Sequence, residues 1–211
     1  MKQFKLLVLA FALVIFGFAA GPAMAAADPG HDPAASDVVK NFYTTLTSVM
    51  KQGDQLGFAG RERKLEPAIK NAFNLPLMAR FAVGPVWSKA TPDEQKQLVS
   101  AFSDFSVATY ASRFVRYDGE RFEVFGQKQA VGGGTIVETK LTPGDGSDAV
   151  ALNYLMRQDD KGTWRIVDVF LDGAISELAT RRSEFNSIVE RDGISALVNQ
   201  LGEKSRQMGP S

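Results

Sequence analysis

The 211-residue sequence contains no cysteine. A lipid anchor on an N-terminal cysteine is therefore excluded, and so are disulfides, which leaves the core alone to hold the fold. Histidine is nearly missing as well. Its one copy, His31, sits in the Pro/Gly-rich stretch ADPGHDPAAS near the N-terminus, so the folded part offers neither a histidine metal site nor a Ser-His-Asp triad. Neither charge sign is in excess: Lys and Arg total 24, as do Asp and Glu. A nucleic acid is a poor partner for such a surface, because binding phosphates needs a basic face. Phosphate loops are lacking too, since Gly132-Gly133-Gly134 has neither the Lys-Ser/Thr nor the helix that must follow. No carboxylate cluster has calcium-loop spacing.

One long apolar run is present, Leu6 to Ala20, preceded by Lys2 and Lys5 and followed by Ala23-Met24-Ala25. It is short for a spanning helix and ends in small residues, the pattern of a cleaved secretory signal over residues 1–25. Cleavage removes two lysines and no acids, so the mature chain is slightly acidic. Localisation in the periplasm follows as an expectation. Residues 26–36 read as a disordered tail and 37–208 as a single domain, large enough to bury a core without staples.

Asp37 or Ser36 can cap a first helix in which Val39, Phe42, Leu46, Val49 and Met50 recur at helical spacing. The basic segment Arg61, Arg63, Lys64 reads as a solvated helix face, with a contact to lipid headgroups as the alternative. Leu65, Ile69, Ala72 and Phe73 form another stripe, which breaks at Asn74-Leu75-Pro76. Leu77, Met78, Phe81 and Ala82 resume the helix until Gly84-Pro85 stops it. Thr91-Pro92-Asp93-Glu94 is a capping box, in which hydroxyl and carboxylate satisfy exposed amides reciprocally. It opens a helix to about Arg116 with Leu98, Phe102, Phe105, Thr109 and Ser112 in line.

Beyond Tyr117-Asp118-Gly119 the period falls to two. Strands are expected at 121–125, 135–141, 149–157 and 164–171, separated by Gly-, Pro- and Asp-rich turns. Three short connections make an antiparallel meander. The last strand runs through Asp172-Gly173 into a helix carrying Ile175, Leu178, Arg182, Phe185 and Val189. Gly193 ends that helix, and Ile194, Leu197, Val198 and Leu201 mark a second one. Helices, then a meander, then two helices folded back on the sheet make an α+β domain.

The stretch from Trp164 to Phe185 resembles the C-terminal signature of the MlaC-like periplasmic lipid-binding proteins, the toluene-tolerance auxiliary-component family. A W-x-V-x-D strand there leads through Gly to an R-x-x-F helix; here the residues are Trp164, Val167 (shifted by one), Asp168, Gly173, Arg182 and Phe185. Phe73, Met78, Gly84 and Trp87 are similar to the family's F…M…LG…W region. Thr91, Gln97, Phe102, Phe105, Thr109 and Tyr110 stand near its T…Q…F…L…TY segment. The wording LNYLMRQ…WRIVDVFLDGAISELATRRSEF is most like the hopanoid-associated HpnM branch.

The resemblance implies an NTF2-like/MlaC-like domain around an apolar cavity, carrying a phospholipid or a hopanoid as cargo, with no cofactor and no catalysis. It also implies exchange with a membrane complex, either an MCE-type ring with its ABC transporter or an RND-type exporter, and transient membrane contact. For the wall we take the face of the 149–157 strand that carries Val150, Leu152, Tyr154 and Met156, with Leu77, Phe81, Trp87, Phe102, Phe105 and Tyr110 opposite, and Ile166 and Ile175 beside them. The competing face carries Ala149 and Ala151.

Two rival classes remain. A secreted enzyme on an NTF2-like scaffold would use Asp168, a carboxylate in an apolar strand, as a general base. Such chemistry wants a partner group, yet histidine is lacking and Asp172, four residues on, lies roughly 13 Å away at strand rise. An Asp bonded to backbone amides or to Arg165 or Arg182 fits better. The other rival is an interaction module with a filled core.

Overall fold

The computed structural model describes residues 32–209; the expected leader, its cleavage site and His31 lie outside them. Helix α1 (Pro33–Lys51) starts earlier than expected, and its cap is neither Ser36 nor Asp37. Asp32 takes that place: one carboxylate oxygen accepts from the Ala34 amide and the other from the Trp164 indole N–H at 2.7 Å. Pro33 suits the first helical position, where an N–H has no partner anyway. Residues 33–36, read as tail, are therefore helical, because a long-range bond to the sheet pins the residue before them.

Helix α2 (Gly53–Ala72) bends at Gly57, α3 (Leu75–Val83) follows, and a 3-10 turn (Gly84–Lys89) leads to α4 (Pro92–Arg113). The Thr91–Glu94 capping box forms as expected. Gly84 has φ +56, a left-handed conformation that favours glycine at this joint.

The meander is present, with β1 (Arg121–Gln129), β2 (Thr135–Thr142), β3 (Val150–Gln158) and β4 (Trp164–Leu171). A fifth short strand, β5 (Ile175–Ser176), pairs with the end of β4 and completes an antiparallel sheet in sequence order. Ile175, expected on the helix, belongs to this strand. Asp172 and Gly173, both at positive φ, turn the chain back sharply enough for the pairing.

Helix α5 (Glu177–Met208) contains both expected C-terminal helices. Gly193, at φ 84 and ψ 172, breaks it in the middle. Lys204 donates to Glu184 across that break. Twenty residues of straight helix would hold them about 30 Å apart, so the two limbs fold back against each other with no loop between.

One sheet face, carrying Val137, Tyr154, Met156 and Ile166, is buried against the helices. Rings tie the layers together: Phe42 meets Phe73 and Tyr110 edge-on, and Phe102 of α4 meets Phe185 of α5 in the same way. Burying one such ring is worth about 3–5 kcal/mol against alanine.

Candidate functional site

A bulge in β4 decides which residues face the helices. Met156 pairs with Ile166 and Leu155 with Asp168, so Val167 is an extra residue without a partner. Alternation slips by one at that point. Ile166, Val169 and Leu171 thus share the buried face with Met156, Tyr154 and Leu152, to which they pair. A strict period of two puts Ile166 on the opposite side from Val169 and Leu171, which is where the sequence reading of this strand fails.

Between that face and the helices lies a cavity of about 160 Å³. Its floor is Leu152, Tyr154, Val169 and Leu171 with Phe122 of β1. Helix α4 supplies the longest wall through Phe102, Phe105, Thr109, Tyr110 and Arg113; Ile69, Phe73, Leu75 and Met78 close the inner end. Leu178 and Arg181 of α5 stand on the other side. The deep residues are buried, whereas Leu171, Glu177, Leu178 and Arg181 are partly exposed and Arg113 is exposed, which places the opening at the start of α5 and the end of α4.

Of the residues assigned from sequence, Phe102, Phe105, Tyr110, Leu152 and Tyr154 come together on this wall. The other seven do not. Met156 and Ile166 are fully buried and packed into the core, the latter held by the Asn74 amide on its carbonyl. Leu77 and Trp87 are half-buried, away from the cavity. Phe81 and Val150 are exposed at 39% and 37%, and Ile175 at 56%. Phe81 lies on the outer side of α3, whose buried side is Leu75, Ala79, Ala82 and Val83. Val150 opens β3 and Ile175 sits in the edge strand, so no helix reaches over either. Sequence reasoning missed Arg113 and Arg181. The spacing Phe105, Thr109, Arg113, four apart on one helix face, carries the signal for the first.

Polar groups around the cavity are mostly spent on structure. Thr139 donates its hydroxyl proton to the Leu152 carbonyl, so Tyr43 is the donor in the 2.6 Å contact between Tyr43 and Thr139. Burial pushes the Tyr43 phenol up to about 12 and raises those of Tyr110 and Tyr154 as well. Asp168 does not face the cavity. Its carboxylate accepts from the Ser176 hydroxyl at 2.5 Å, the Leu178 amide at 3.0 Å and the Val169 amide at 2.8 Å. It fastens the start of α5 to β4, with neither Arg165 nor Arg182 as partner. Arg61 corrects the reading of a solvated basic face: it is 7% exposed and donates to the Ala111 and Gly53 carbonyls. Among the described residues no group of His, Cys, Asp and Glu is placed to hold a metal ion, and no helix is long and apolar enough to cross a membrane.

The profile of the MlaC protein family matches residues 40–203. The fold is similar to a solved phospholipid-binding protein from Ralstonia solanacearum in complex with a phospholipid, at a TM-score of 0.69 and 23% identity, over 82% of this chain and 98% of that one. No curated protein matches the chain.

Proposed function

The chain belongs to the MlaC protein family, and on that premise we propose that it is a carrier that takes up a phospholipid through the opening beside α5 and moves it through water. The observation that carries the reading is the cavity itself: apolar, walled by sheet and helices, and open at one end. Water charges about 0.8 kcal/mol for each exposed methylene, so a two-chain lipid crosses it only inside such a wall. The present volume is close to the roughly 150 Å³ that suits a benzene-sized guest. Acyl chains therefore enter only as the α4 and α5 walls part.

The similar Ralstonia protein is a phospholipid-binding protein in complex with a phospholipid; a hopanoid is the alternative that the HpnM-like wording suggests. Delivery to a membrane complex, of MCE-type with an ABC transporter or of RND-type, belongs to the same proposal, as does work in the periplasm. Val115, next in sequence to Phe114, and Ile175, paired with Leu171, are exposed apolar residues beside the lining of the opening, which suits brief contact with a bilayer.

Vesicles containing a fluorescent phospholipid, incubated with the purified protein and then pelleted, test the reading. Labelled lipid should remain in the supernatant with the protein at a stoichiometry near one. Label found wholly in the pellet would refute it.

A further inference from the structure

The two arginines at the opening are the part of the wall that an apolar cargo does not need. Arg181 lies with its guanidinium over the Phe105 ring, 4.9 Å from the centroid, and its side chain is 23% exposed. The carboxylate within ion-pair distance of it, Glu184, stands 3.6 Å away and is already engaged by Lys204. Arg113 forms no ion pair and no side-chain hydrogen bond among the described residues, although it lines the cavity. Phe105, Thr109 and Arg113 fall on one face of α4, and Arg113 and Arg181 both line the cavity that Phe105 walls. Against them the lining offers a single acid, Glu177.

We propose that Arg113 and Arg181 together bind the phosphate of a lipid headgroup, which makes the carrier selective for phosphate-bearing lipids over uncharged ones. The inference rests on the carrier reading above. A guanidinium presents a planar fork of N–H donors matched to phosphate oxygens, and its stacking on an aromatic face holds the fork in place. The end of α4 favours a cation for its own sake, since the helix terminus is negative. That preference accounts for charge at 113 and has no bearing on Arg181, which lies in the first turns of α5, where the terminus is positive. An uncharged polycyclic lipid would leave both cations without a partner.

The test loads the mature protein from vesicles containing equal amounts of phosphatidylglycerol and diacylglycerol with the same acyl chains, then extracts and quantifies what it carries. Wild type should prefer phosphatidylglycerol by about tenfold or more, equivalent to about 1.4 kcal/mol. In the double variant Arg113→Gln/Arg181→Gln the preference should fall close to one. Retention of the preference overturns the assignment. Arg113→Gln alone alters an exposed, unpaired side chain and so keeps the fold, and an unchanged preference in it overturns the pair as well. Glycerol 3-phosphate, titrated into wild type, should show no saturable binding at micromolar concentration; such binding would assign the site to a soluble phosphate ester instead. Wild type that loads neither lipid is a separate result, which removes the carrier reading and this inference with it.

Discussion

Tyr43 is buried with its hydroxyl committed as a donor to Thr139, whose own proton goes to the Leu152 carbonyl. Burial strips water from the phenolate, which outweighs the opposing effect of the bond to Thr139, and the phenol ionises only at about 12. Its pKa is higher folded than unfolded, so the tyrosine's contribution to stability is complete below pH 10. It declines as the pH rises from 10 towards 12, where the unfolded chain alone loses the proton. Tyr110 and Tyr154 shift in the same direction and steepen the decline. Denaturant unfolding at a series of pH values, with tyrosine ionisation followed by absorbance, should show stability falling above pH 10, by about 3 kcal/mol at most from Tyr43 alone. Tyr43→Phe should flatten that fall at a cost of about 1 kcal/mol at neutral pH. A stability profile flat to pH 12 in wild type would contradict this account of the buried hydroxyls. Arg61 teaches a related lesson about residues: in a run with Arg63 and Lys64 it reads as surface charge, and only the approach of the α4 carboxyl end, fifty residues away, buries it.

The elements that emerge directly from sequence are those specified by local signals. The capping box starts α4, Gly193 breaks α5, and β4 has the expected span Trp164–Leu171, because cap chemistry, a left-handed glycine and a β-branched run act within a few residues. What stayed hidden depends on pairing. The β4 bulge exists because β3 offers one residue where β4 has two, and it decides that Val169 and Leu171 line the cavity while Asp168 turns away. Half of the site follows the same division: Leu152 and Tyr154 are found by alternation within β3, whereas Val169, Leu171 and Arg181 need the tertiary register. Asp168 shows what the slipped alternation is for, since its carboxylate accepts the Leu178 amide and the Ser176 hydroxyl at the start of α5. Asp168→Asn keeps the shape and loses charge-assisted bonds, so it should lower stability by about 1–3 kcal/mol. Thermal melting checks this, and lipid loading of the folded fraction should match wild type. A variant that melts like wild type would mean that Asp168 does not fasten α5.

At the scale of the whole molecule, sheet and helices do not close on each other completely. An apolar space remains over Leu152 and Tyr154, open where α4 ends and α5 begins. Ala151, one residue from Leu152, points to the other side of the sheet, where β2 places Lys140 opposite it. A carboxylate at 152 enters the cavity, where hydration through the opening limits its cost to the fold and an acyl chain cannot follow it. The same group at 151 leaves the cavity untouched. Native mass spectrometry of wild type, Leu152→Glu and Ala151→Glu after exposure to phospholipid vesicles therefore tests the central claim most directly. The account predicts one phospholipid per folded chain in wild type and Ala151→Glu, and none in folded Leu152→Glu. It is contradicted if wild type emerges without lipid, or if Leu152→Glu carries as much as Ala151→Glu.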